Sequence, residues 1–183
     1  MLSGGWDKNV IINDVRVMEP VKSIVGPTIC GESVKVRQKD GRIVTGSYSV
    51  DDSIQCWDMR NLKEPERSFD WNGGIKSSQA TNIQESEKEL IKKTVGTEGI
   101  PYLFGLALNY DESLIVAGGG AGRNEVRIFD YDDGRVVSSI FNVPGSVLSM
   151  DSAKALNMFA VGGADGTLRI ASIEKQKDLE KDH

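Results

Sequence analysis

The residue order predicts an all-β chain built from short antiparallel sheets, and three observations carry that prediction. Glycine is frequent, at 20 residues against five prolines, and it clusters as tight turns require, while Leu-rich helical stretches are scarce. A small-residue step, a polar turn and an alternating apolar run ending on an acid or its substitute recur four times along the chain. Between these copies lie further short apolar alternations, the period-2 signature of half-buried strands.

The four copies are Gly4 to Asp14 (GGWDKNVIIND), Gly46 to Asp58 (GSYSVDDSIQCWD), Gly118 to Asp130 (GGGAGRNEVRIFD) and Gly162 to Ser172 (GGADGTLRIAS). They close at positions 14, 58, 130 and 172, at intervals of 44, 72 and 42 residues. Two intervals match a single repeat of about 40 to 45 residues, and the long one is such a repeat with roughly 28 residues added. That surplus is too short for another unit and is rich in Ser, Gln, Glu and Lys. It is expected as an inserted loop over residues 72–100, with a helical turn over Glu85 to Lys93.

Within the second repeat four strands are expected at Ser33 to Gln38, Arg42 to Ser47, Ser53 to Asp58 and Glu66 to Phe69. Turn residues join them: Lys39-Asp40-Gly41, then Ser49 to Asp52, then Met59 to Pro65. The third repeat follows suit with Tyr102 to Asn109, Ser113 to Gly118, Glu125 to Asp130 and Arg135 to Val143. A four-stranded sheet of this size cannot cover both of its faces, so such units stack radially around an axis. The units are expected at about residues 1–25, 31–71, 101–143 and 146–173, with 174–183 a charged C-terminal tail.

Trp57-Asp58, following Gly46-Ser47 at hairpin distance, resembles the WD-repeat family, and Phe129-Asp130 and Asn13-Asp14 are weaker forms of the same dipeptide. The resemblance covers nearly all the chain outside the insertion and the last ten residues. It implies a partial WD-repeat β-propeller of about three and a half four-stranded blades. Positions 7, 14, 57, 58, 129, 130 and 165 (Asp7, Asp14, Trp57, Asp58, Phe129, Asp130, Asp165) are its structural repeat positions. The family's Gly-His step is absent, because the only histidine is His183. The buried Asp-His-Ser-Trp network of the family therefore cannot form, although Asp7 and Asp165 hold the turn position of its acid. Rigidity is expected to come mainly from apolar packing between sheets.

The first copy starts at what corresponds to the end of a second strand, and the last stops after a third. Counting gives three, four, four and three strands, or 14, half of the 28 expected for a seven-bladed ring. The expectation is a C-terminal half of a longer propeller, or a piece that needs upstream blades or another chain to close the ring.

Twenty-two basic and 27 acidic residues leave a net charge of −5, with the basic residues scattered, so nucleic acid is not an expected partner. No apolar run approaches the roughly 18 residues that span a bilayer, so no membrane role is expected either. The expected location is intracellular, in the cytoplasm, with nuclear and cytoskeletal sites left open. Cys30 and Cys56 fit neither a zinc nor a redox spacing and are expected as reduced, packed thiols.

No catalytic, cofactor or metal site is expected. Gly118 to Gly122 precede a strand where a phosphate loop needs a helix, so they are expected as a hairpin turn. Asp51-Asp52 and Asp132-Asp133 fall in turns, and the single terminal histidine excludes a Ser-His-Asp or Cys-His arrangement. Trp6 and Tyr48 stand at equivalent turns of neighbouring blades, where large rigid aromatics suit partner binding, and Arg123 and Asn124 occupy the matching turn of the third. The inserted loop is expected on the same side. The expected function is a non-enzymatic protein–protein interaction scaffold. Trp57-Asp58-Met59-Arg60, with Asn13-Asp14-Val15-Arg16 as a parallel, supplies the alternative of a substrate receptor for a cullin-type ubiquitin ligase.

Overall fold

A computed structural model describes residues 1–49, 51–71, 74–76, 102–120, 124–141 and 143–173, and among these every regular element is a strand. The first sheet holds β1 (Leu2–Gly4), β2 (Asn9–Asp14) and β3 (Glu19–Val25). The second holds β4 (Val34–Val36), β5 (Ile43–Gly46), β6 (Ile54–Trp57), β7 (Arg67–Phe69) and β8 (Ile75–Lys76). The third holds β9 (Tyr102–Leu108), β10 (Leu114–Gly120), β11 (Val126–Asp130) and β12 (Val136–Ile140). The fourth holds β13 (Val147–Ser152), β14 (Met158–Gly163) and β15 (Leu168–Ser172). Neighbours in each sheet are consecutive in the chain and antiparallel, so every sheet is a meander.

The second sheet has five strands where four were expected. Its extra member, β8, comes from the segment expected as an inserted loop, pairing Phe69 with Ile75 and Ser68 with Lys76. The reversal is made by Gly74, whose φ of 104° suits a residue without Cβ and whose carbonyl accepts Asp70 N–H at 2.9 Å. Ile75 then packs on the core between the second and third sheets, which gives the added strand an apolar anchor. The expected helical turn over Glu85 to Lys93 and the charged tail lie outside the described residues.

The core is divided among the gaps between sheets. Ile43 and Trp57 meet Val10, Ile12, Ile24 and Ile29 between the first and second sheets. Their sequence neighbours Val44 and Cys56 point the other way and join Ile54, Phe69, Leu106, Ile115 and Phe129. The third gap sets Val116, Val126 and Ile128 against Val147, Met150, Phe159 and Val161. The strands of the middle sheets alternate between two apolar gaps, which is why a single blade is not stable alone. Each fully buried aliphatic or aromatic side chain contributes about 1.5–3 kcal/mol.

Polar groups add contacts within and between the sheets. Trp57 Nε1 donates to Thr45 Oγ1 at 3.0 Å, the hydroxyl–indole contact that remains without a histidine. Cys56 Sγ lies 2.9 Å from the Tyr131 hydroxyl, and the Arg37 guanidinium carbon stands 3.8 Å from the centroid of that ring. Trp71 Nε1 donates to Glu125 Oε1 at 2.6 Å, and Arg127 pairs with the same oxygen at 3.2 Å.

Gly118 to Gly120 continue β10 as far as Gly120 where a turn was expected, and a register shift falls between Gly118 and Gly119. The strand continues because it has a partner in β9. A Cβ on Gly119 would lie 1.9 Å from the Tyr102 carbonyl oxygen, so this glycine serves close approach of two backbones.

Candidate functional site

Trp6 lies in the turn from β1 to β2, and Tyr48 in the equivalent turn from β5 to β6. The first turn is fixed by its own polar residues. Asp7 Oδ1 accepts Asn9 N–H at 3.3 Å, and the Asn9 amide donates to the Asp7 carbonyl at 3.0 Å, while Lys8 takes φ of 60°. The second turn is held by the segment linking β3 to β4. Tyr48 N–H donates to Thr28 O at 2.7 Å, and Thr28 N–H donates to Ser47 Oγ at 3.0 Å. Ile29 N–H donates to Gly5 O at 2.9 Å, so one linker ties both turns together.

This scaffolding brings four rings into a run. Trp6 and Tyr48 have centroids 5.0 Å apart and tilted by 53°, and Tyr48 stacks on Tyr102 at 4.5 Å. Phe104 meets Tyr48 edge-on at 5.4 Å. These are favourable aromatic geometries, each worth about 0.5–1.5 kcal/mol beyond burial. Trp6 is 65% exposed, whereas Trp57 and Trp71 are each 2% exposed, so Trp6 ends the run in solvent. Tyr48, Tyr102 and Phe104 are half-buried.

The rings come from three sheets. Tyr102 and Phe104 were not expected as site residues. Their spacing in a strand places them on one face of β9, but nothing in the residue order says that this face meets Tyr48 from another sheet. Asn124 is engaged elsewhere: its carbonyl accepts Val143 N–H at 3.2 Å and its side-chain oxygen accepts Ser146 Oγ at 3.4 Å, joining the third sheet to the fourth. Arg123 lies outside the described residues, as does the inserted segment apart from Gly74 to Lys76.

Other acidic turns are self-contained. Asp58 accepts from Arg60 N–H at 2.8 Å and from its guanidinium at 2.6 Å, and Asp14 binds Arg16 in the same way at 2.9 and 2.6 Å. Both arginine side chains are nevertheless 85% exposed. The Arg60 hydrogen bonds hold the Asp58 carboxyl well below the usual carboxylate range, and Arg16 lowers Asp14 similarly. Asp130 accepts Asp132 and Asp133 N–H at 2.9 and 3.2 Å. Asp165 binds Thr167 Oγ1 at 2.8 Å and Arg169 at 2.6 Å, and Arg169 first, then Thr167, depresses its carboxyl.

Burial pushes the Cys56 and Cys30 thiols up, which leaves both poor nucleophiles. An open cleft of about 320 Å³ is lined by Lys35, Gln38, Asn109, Glu112, Asp151 and Lys154 among others. Its Glu112 is taken up by the Gln38 and Lys39 N–H groups at 2.8 Å each. Among the described residues no group of three or more His, Cys, Asp or Glu side chains is placed to hold a metal ion, and no helix is long and apolar enough to cross a membrane.

No protein-family model matches the chain, and no curated protein matches it. Solved structures do. The β-propeller domain of Myceliophteria thermophila Cps50 (Swd1) superposes with a TM-score of 0.65 at 14% identity, over 94% of this chain and 47% of that one. A chain of a mitotic checkpoint complex superposes with a TM-score of 0.66 at 17% identity, over 94% of this chain and 46% of that one. The likeness shows the fold: the four sheets are blades of a β-propeller, open rather than closed. The chain spans less than half the length of either structure.

Proposed function

We propose that this chain is a non-enzymatic protein–protein interaction scaffold that presents propeller turns to partner proteins. The observation that carries the reading is the aromatic run of Trp6, Tyr48, Tyr102 and Phe104, built from three blades and ending in a tryptophan 65% exposed. A rigid aromatic held on a stitched turn loses little entropy on binding and desolvates readily. The fold supports the reading, because propeller turns set several independent loops on one platform. That one similar structure is a mitotic checkpoint complex agrees with a life among protein partners.

Trp6 and Tyr48 are the anchors in this proposal, with Arg123 and the inserted segment beyond β8 extending the surface, while Asn124 is given over to joining the third and fourth sheets. On this reading the chain acts inside the cell, in the cytoplasm or at nuclear or cytoskeletal sites, with protein partners and no cofactor. The cullin-ligase alternative rests on Arg60 and its parallel Arg16. Each is pinned to the aspartate of its own turn, which accounts for the motif without a partner, so the general scaffold stands ahead of it.

A photo-crosslinking phenylalanine analogue placed at position 6, and separately at position 60, tests the choice. The scaffold reading expects partner proteins to be captured from position 6 in preference to position 60. Capture from position 60 alone would move the function to the Asp58–Arg60 turn.

A further inference from the structure

Inside this protein, two of the aromatic rings that lie between sheets, Tyr131 and Trp71, are paired with guanidinium groups. Arg37 and Arg67 approach Tyr131 at 3.8 and 5.0 Å from its centroid, and Arg127 approaches Trp71 at 5.1 Å. None of the guanidinium–ring pairs among the described residues involves Trp6 or Tyr48. Among the described residues, the most exposed tryptophan thus presents its indole without a cation such as Trp71 receives.

The turns around it are acidic. Asp7 adjoins Trp6, while Asp51 and Asp52 follow Tyr48 in the same turn, and all three are exposed. Glu32, also exposed, lies on the linker that reaches β9, where its carbonyl accepts Leu106 N–H at 3.4 Å. Lys8 is the one basic residue within the two turns, and the whole chain carries a net charge of −5. Aromatic faces beside carboxylates attract a cation twice over, through the ring quadrupole and through charge.

We propose that the Trp6–Tyr48 face receives an arginine-bearing segment of a partner protein, with a guanidinium stacked on the Trp6 indole and the acids of the two turns around it. Arginine fits better than lysine, because its planar, weakly hydrated group stacks on a ring while keeping its donors for carboxylates. This rests on the scaffold reading and names the chemistry of the segment bound there.

The probe is a short Arg-Gly repeat peptide flowed over the chain immobilised on a biosensor, beside the same peptide with citrulline, arginine's neutral isostere, at each arginine. The arginine peptide is expected to bind at least about tenfold more tightly than the citrulline peptide, a gap of about 1.4 kcal/mol. Trp6→Ala should remove most of that binding, and Asp51→Asn with Asp52→Asn should weaken it, since asparagine tolerates the φ of 52° at position 52. Equal binding of the two peptides, or arginine-peptide binding unchanged by Trp6→Ala, overturns the proposal. If position 6 captures partners while the arginine peptide fails, only the cationic inference falls, whereas failure of position-6 capture removes the scaffold reading beneath it.

Discussion

At the scale of single residues, side chains that look functional divide into those that satisfy their own turn and those that reach outward. Asp58 and Asp165 belong to the first kind, each spending its oxygens on a nearby backbone or side-chain donor. Both carboxyls are depressed by a neighbouring arginine, so whatever stability they add is present above the unfolded-state value of about 3.9 and is lost as pH falls through the folded-state value. Carboxyl-detected NMR titration should place both midpoints below the ordinary aspartate range, and ordinary midpoints would show that the arginine contacts do not persist in solution. Trp57 makes a different kind of demand. Thr45→Val keeps the shape at that site but leaves the buried indole N–H without its acceptor, so urea unfolding should show a loss of about 1–3 kcal/mol. Trp6 and Tyr48 were legible as candidates from their equivalent turn positions. Tyr102 and Phe104 were not, because a strand's alternation tells which residues share a face and not which blade that face will meet.

At the scale of strands and turns, alternation and turn chemistry located most elements. The third repeat's expected strands at Tyr102 to Asn109 and Glu125 to Asp130 contain β9 and β11, because residues facing two different apolar gaps leave a clear pattern. β8 escaped because two paired residues, Ile75 and Lys76, are too few to show a period. The glycine run at Gly118 to Gly120 misled for a different reason. Glycine marks a turn and a close backbone approach equally well, and only the neighbouring strand decides between them. Two alanine substitutions separate these roles. Gly119→Ala must push against the Tyr102 carbonyl and should cost about 1–3 kcal/mol or more. Gly41→Ala has open space around its Cβ and bears only the strain of φ at 72°, about 1–2 kcal/mol. Denaturant midpoints should rank Gly119→Ala as the more damaging, and the reverse order would mean that the β9–β10 register is different.

At the scale of the whole molecule, the sheets are covered where they face one another and bare at the two ends. The outward face of the first sheet exposes Val21 and Val25 at 54% and 69%, and that of the fourth exposes Leu168 and Ile170 at 69% and 58%. Apolar sheet faces of this kind associate with whatever apolar surface is available. The chain should therefore self-associate as its concentration rises in size-exclusion chromatography, and Leu168→Asp with Ile170→Asp should reduce that. A monomer that persists undiluted and unfolds cooperatively would show that the ends are protected in some other way.

The same division between covered gaps and outward turns allows binding to be separated from folding. Among the described residues Trp6 belongs to none of the apolar core clusters, which lie between the sheets. The most direct measurement is therefore a paired one on Trp6→Ala: capture of partner proteins, and the midpoint of thermal unfolding followed on the same sample. The predicted result is that capture is lost while the midpoint falls by no more than about 6 °C, the size of one lost ring contact, and unfolding stays cooperative. Capture retained at full strength by Trp6→Ala would contradict the account, because the exposed end of the aromatic run would then have no part in binding.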